Sequence, residues 1–123
     1  MATVFTNSGK ALVTNRLKGG GTEPKYIAWG TGAGTAAATD TTLFTEASES
    51  RVAGTSTQET TTTTSDTYQV VGTMTVAGSG KTITNVGLFD ASTGGNLLMK
   101  SDFTGIALNV GESIQFTQKL QFQ

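Results

Sequence analysis

The sequence has no cysteine and no histidine, and it is poor in proline and in charge. Without cysteine the fold cannot contain disulfides, and without cysteine and histidine it lacks the usual ligands for zinc. Only 14% of the residues are charged and the formal net charge is −1, with no Lys or Arg cluster to neutralise phosphates or anionic lipid heads. We therefore expect no nucleic-acid partner, no membrane partner and no cofactor.

Targeting features are missing as well. The N-terminal stretch "MATVFTNSGK" lacks the charged start, apolar run and cleavage site of a signal peptide, and no later run approaches the length of a membrane span. We expect a chain that is made in the cytoplasm without export.

Threonine dominates what is present. It occupies roughly a fifth of the positions, and its β-branched side chain suits a half-exposed sheet better than a helix. The hydrophobic fraction of 36% and the 16 glycines over 123 residues are sufficient for one core. We predict a single domain over residues 1–123, with an arm and helix in 1–24 and a β-sandwich in 25–123.

One short helix is predicted near the N-terminus, in "TNSGKALVTNRLKGGG". Asn7 or Ser8 is the predicted N-cap, apolar residues recur at helical spacing after it, and the glycines at 19–21 end the helix.

The run of threonines from Thr60 to Thr64 has two interpretations, a mucin-like spacer or the tip of a hairpin. Val70, Met74 and Val76 fall on one side of a strand after the run, and residues 51–61 before it are compatible with a strand. "TTSD" supplies turn residues, and the single proline argues against a spacer. We predict two long strands joined by a threonine-rich turn.

The remaining strands are predicted to continue as a meander. "KYIAWGTG" predicts a strand from Lys25 to about Trp29, followed by an ordered loop from Ala33 to Ser50. "KTITNVGLFD" and "LLMKSDF" are strands on either side of the turn "ASTGGN", and "IALNVGE" crosses to "SIQFTQKLQFQ", whose apolar residues alternate with polar ones. Six to eight antiparallel strands with short turns predict an all-β fold, a β-sandwich or small barrel with one short helix.

Several motifs resemble sites but fail on their context. "TVAGSGKT" has Thr75 where a phosphate-binding loop needs glycine, and "WGTGAGT" has Thr35 where a dinucleotide loop needs one. Asp66 and Asp90 lie at predicted turns, where a carboxylate usually accepts hydrogen bonds from its own backbone. Asp90 or Asp102 could also ligate calcium, but the sequence contains nothing that resembles the spaced acidic loop of a calcium site. We expect no metal site, no catalytic residue and no enzymatic activity.

The segment "ITNVGLFDASTGGNLLMKSDFTGIALNVGESIQFTQKLQF" resembles the C-terminal part of small virion proteins of tailed bacteriophages. These proteins include tail fibres, head fibres and capsid decoration, or cement, proteins. "YIAWGTG" and "LFTEASESRV" are similar to the same family, so the resemblance extends from about Asn7 onward. It implies a β-rich homo-oligomer, commonly a trimer, within a virion, and its motifs carry no catalytic residues.

Three functions follow from these observations. The leading prediction is a capsid decoration protein that binds the major capsid protein on the outside of the shell and stabilises it by mass action; the other two are alternatives to it. The second is a tail, tail-fibre or receptor-binding component, and the third is a carbohydrate-binding module. We expect the chain in the virion, with a subunit or capsid interface formed by an N-terminal arm that adds a strand to a neighbour and by the only tryptophan. The predicted interface residues are Ala2, Thr3, Val4, Phe5, Thr6, Asn7 and Trp29.

Overall fold

The computed structural model describes residues 1–123. It contains β1 (Ala2–Phe5), α1 (Asn7–Leu17), β2 (Tyr26–Gly30), β3 (Val52–Ala53), β4 (Thr55–Glu59), β5 (Thr67–Thr75), β6 (Lys81–Phe89), β7 (Leu97–Leu108) and β8 (Ser113–Gln121).

The strands form two antiparallel sheets that pack face to face. The large sheet has the order β1-β7-β6-β2-β3 and the small sheet the order β4-β5-β8. Neither sheet closes on itself. The predicted all-β fold is confirmed as a sandwich with one short helix, and the barrel alternative is excluded.

The main core lies between the sheets. Inward residues of β2 and β6 (Ile27, Trp29 and Leu88) meet Val70 and Met74 of β5, and all five are at most 1% exposed. These positions follow the period of two along each strand, because successive side chains point to opposite faces of a sheet.

The chain crosses between the sheets instead of running as a meander. β5 pairs with β4 and β8, whereas β6 pairs with β2 and β7, so the turn after β5 joins the small sheet to the large one. The predicted continuous meander is wrong here. Gly54 makes another crossing, between β3 and β4, where an added Cβ would lie 2.5 Å from Val70 Cγ1. The chain changes sheets at a point where only a hydrogen fits.

The threonine run is the tip of a hairpin, as predicted. β4 and β5 pair in continuous register from Thr55 opposite Val71 to Glu59 opposite Thr67. The Asp66 carboxylate accepts hydrogen bonds from the N–H groups of residues 61, 62 and 63, at 2.9–3.1 Å. These bonds from the backbone of Thr63 and Thr61 lower the pKa of Asp66. The tip is therefore an ordered turn held by one carboxylate.

The helix is confirmed, but its cap lies one residue earlier than predicted. Thr6 is the N-cap, and its hydroxyl accepts from Gly9 N–H at 2.9 Å and donates to Leu97 O at 2.6 Å. Ser8, a predicted cap, instead donates to Leu97 O at 2.8 Å. Thr6 thus joins the helix to β7. This helix is too short and too polar to cross a bilayer, and the chain has no other.

The connection between β2 and β3 covers the outer face of the large sheet. Asn85 of β6 accepts from Phe44 N–H and donates to Phe44 O, both at 3.0 Å. Lys100 of β7 is 1% exposed, and its Nζ donates to Asp40 at 3.0 Å and to Thr42 O at 2.8 Å. The same ammonium lies 3.2 Å from the centre of the Phe44 ring. The loop predicted at Ala33–Ser50 therefore packs on the sheet through polar side chains that the strands present to it.

Candidate functional site

The N-terminal arm is an edge strand of its own sheet. β1 pairs with β7 from Ala2 opposite Asp102 to Phe5 opposite Met99. Asp102 fixes the arm further, because its carboxylate accepts from Ala36 N–H at 2.7 Å and from Ala2 N–H at 3.2 Å. These two bonds, the first above all, lower the pKa of Asp102.

The arm residues differ in how accessible they are. Thr3 and Asn7 are exposed and Ala2, Val4 and Phe5 are half-buried, whereas Thr6 is buried. Because β1 has a neighbour on one side only, its other edge is open. The predicted role of the arm in an interface stays a prediction.

Trp29 lies in the core of the single chain. Its side chain is 0% exposed and meets Phe116 edge-on, with ring centroids 6.3 Å apart. Its Nε1 donates to Glu49 Oε1 at 3.0 Å. This places Trp29 at the core position that its residue type favours, with no surface left for a partner in this conformation.

The carboxylates at the two predicted turns, Asp66 and Asp90, accept hydrogen bonds from backbone N–H groups. Asp90 accepts from the backbone N–H of Asn96 at 2.7 Å and from its side-chain amide at 3.0 Å, which closes the turn between β6 and β7. No group of three or more Asp, Glu, His or Cys side chains lies together in the chain. "KTITNVGLF" is strand β6, and Lys81 binds Glu49, so the segment that resembles a phosphate-binding loop does not open a helix.

A polar cleft of about 350 Å³ lies beside the hairpin of β4 and β5. The Glu23 carboxylate accepts from Ser56 Oγ at 2.5 Å and from Tyr68 Oη at 3.2 Å. The Ser56 hydrogen bond lowers the pKa of Glu23, while burial and the Glu23 charge raise the pKa of Tyr68. Phe122, 50% exposed, is the only aromatic side chain that opens widely onto this cleft. The cleft therefore offers a bound sugar ring one exposed aromatic side chain on which to stack.

A second opening lies between the edges of the two sheets, beside β8. It is a groove of about 290 Å³ whose apolar lining includes Phe103, Ile106 and Phe116. Gln118 also lines this groove and is 6% exposed. Its Oε1 is the only buried side-chain nitrogen or oxygen without a hydrogen-bond partner. Sequence reasoning missed this residue, because Gln118 interrupts the apolar series of Ile114, Phe116 and Leu120.

Comparison with known proteins identifies the family. A family described as podophage GP4 fiber I protein gp80 matches residues 8–122, which is nearly the whole sandwich together with the helix. No curated protein matches the chain. Since the match covers far more than half of the sequence, the chain belongs to this family of fibre-type structural proteins of tailed-phage virions.

Proposed function

We propose that this protein is a fibre component of the tail, which works in the virion by binding alone. The observation that carries the proposal is the match of residues 8–122 to a fibre family. That match supports the fibre function over capsid decoration, the leading prediction from the sequence. Partners of a fibre component are other virion proteins or a receptor on the host surface.

The surface chemistry supports permanent packing. The outward face of the small sheet carries exposed threonine and glutamine side chains, and Glu59 and Lys119 are its only charged residues. Little charge means little desolvation cost when such a face is buried against a neighbour. The resemblance to phage virion proteins favours a homo-oligomer, commonly a trimer, and self-association belongs to this proposal.

The absence of turnover is also part of the proposal. The Asp66 and Asp90 carboxylates are engaged by backbone N–H groups, and that of Glu23 by the side chains of Ser56 and Tyr68. Incubation with host polysaccharide should therefore release no reducing ends. Release by the purified protein, abolished by Glu23→Gln, would contradict a function that consists of binding alone.

The location of the protein on the head or the tail can be tested with purified phage particles. Heads and tails are separated, and the protein is located on each with gold-labelled antibody and counted by gel densitometry. A fibre component should remain with the tails in tens of copies or fewer. Hundreds of copies on heads without tails would restore the decoration function.

A further inference from the structure

The small sheet has a long open edge at β8. This strand of nine residues is bonded to β5 alone. At its two ends, Phe122 N–H donates to Asp66 O and Val76 N–H donates to Glu112 O, so the even-numbered residues direct their backbone groups toward β5. By the alternation of an antiparallel ladder, the N–H and C=O groups of Gln115, Thr117, Lys119 and Gln121 face the open edge. Such an edge is a template for another strand.

The groove beside this edge contains an unmet hydrogen-bond requirement. Gln118 Oε1 has no partner, and Gln118 Nε2 has only Gly87 O, at 3.5 Å, the outer limit for a hydrogen bond. A buried acceptor without a donor destabilises the single chain. Ile106, 43% exposed, and the half-buried Phe116 lie in the same groove. The groove therefore lacks a donor for Gln118 Oε1 and a neighbouring apolar surface that would cover Ile106 and Phe116.

We propose that β8 pairs antiparallel with β8 of a second copy about a two-fold axis, with Gln118 opposite the partner's Gln118. A side-chain amide is both donor and acceptor. Gln118 gives up its long contact with Gly87 O and turns its amide into the groove, so that each Oε1 accepts from the Nε2 of the other copy. Thr117 then lies opposite the partner's Lys119, and both residues direct their backbone groups to the shared edge. The groove of each copy covers that of the other, as an isologous contact requires.

The occupant and its register follow from the residues of β8. Lys119 is the only charge on the strand, and a register centred on it would place like charges directly opposite each other, which is unfavourable. A register centred on Thr117 would put Gln118 opposite Phe116 and leave its Oε1 unpaired. Only the register centred on Gln118 satisfies the amide and separates the two lysines.

This contact goes beyond the proposed function and does not depend on where the protein sits in the virion. Because it is two-fold, it joins copies in pairs, so a trimer that used it would form a hexamer. If the protein proved absent from phage particles, the fibre proposal would fail while the pairing would still be measurable in solution.

A matched pair of variants at one position tests the edge. Thr117→Pro removes an N–H that faces the open edge and leaves the bonds to β5 in place, whereas Thr117→Val keeps that N–H. In sedimentation equilibrium, Thr117→Pro should weaken the pairing at least tenfold and Thr117→Val should associate like the wild type. A wild-type chain that never pairs at millimolar concentration, or equal association of the two variants, would overturn the proposal.

Cross-linking tests the register even if Thr117→Pro fails to fold, because the chain has no cysteine of its own. Under mild oxidation, a mixture of T117C and K119C proteins should form a disulfide-linked dimer in at least fivefold higher yield than either protein alone. A mixture of T117C and Q115C is the control and should stay at the yield of the single variants. Efficient dimers from K119C alone would show another register and overturn the one proposed.

Discussion

Glu49 makes the stability of the fold depend on pH. Its side chain is 6% exposed, and its carboxylate accepts from Lys81 Nζ at 2.5 Å, from Ala77 N–H at 3.0 Å and from Trp29 Nε1 at 3.0 Å. Burial alone would raise the pKa of Glu49, but the bonds from Lys81, Ala77 and Trp29 outweigh it and lower the pKa from 4.5 to about 2. The ionised form is therefore favoured in the folded state.

The sign and size of the effect follow by linkage. A carboxylate whose pKa is lower in the folded state stabilises the fold fully above pH 4.5, and this contribution is lost as the pH falls toward 2. The difference between these pKa values corresponds to about 3 kcal/mol, which we reduce to about 2 kcal/mol because the pair with Lys81 is partly screened by solvent. An unfolding entropy of about 2.1 cal/mol/K per residue, over 123 residues, converts this loss to about 8 °C in Tm.

Glu49→Gln tests this reasoning, because glutamine can still accept from Trp29 but carries no charge. Calorimetry from pH 7 to pH 2 should show a Tm about 8 °C below that of the wild type at pH 7, and this gap should close as the pH approaches 2. Glu59→Gln is the control at an exposed glutamate and should keep the wild-type profile. A constant gap at every pH, or no gap at pH 7, would refute the role assigned to the Glu49 charge.

Four further substitutions test three other contacts by urea denaturation. Asp40→Ala leaves the buried Lys100 ammonium without its counter-ion and should cost about 3 kcal/mol, whereas Lys100→Met should be nearly neutral; the opposite order would contradict a charge that depends on its partner. Gly54→Ala brings a Cβ to 2.5 Å from Val70 Cγ1 and should cost about 2 kcal/mol through overpacking, so an unchanged midpoint would show that the crossing can widen. Thr6→Val removes the helix cap while keeping the shape and should cost about 1–2 kcal/mol, with faster amide exchange at Gly9 as its local signature.

Local patterns in the sequence predicted the elements well, since turn residues and side-chain period act over a few positions. The threonine hairpin and the alternation of β8 are of this kind. The assignment of strands to sheets was beyond such patterns, because a strand like β6 has the same alternation whether it pairs with the preceding strand or crosses to the other sheet. The crossing at Gly54 requires a residue without a Cβ, and the sequence does not reveal this requirement because it arises from the position of Val70 in the folded chain.

Polar residues within strands were the harder part of the prediction. Lys100 follows three apolar residues, and nothing near it in sequence reveals that Asp40, sixty residues earlier, will meet it. Gln118 likewise appeared as an interruption of an apolar series. Both residues are informative because a buried polar group needs a partner. Lys100 has its partners within the chain, whereas Gln118 Oε1 has none.

The outer faces of the two sheets differ in the same way, because one is covered within the chain and the other is not. The connection from β2 to β3 covers the outer face of the large sheet, where Lys100 and Asn85 are bonded to it. The small sheet has no such cover, and its exposed Thr57, Thr73 and Thr117 present hydroxyls that water or a neighbour can satisfy at low desolvation cost. We therefore expect the proposed pairing of two copies to use the small sheet at its open β8 edge.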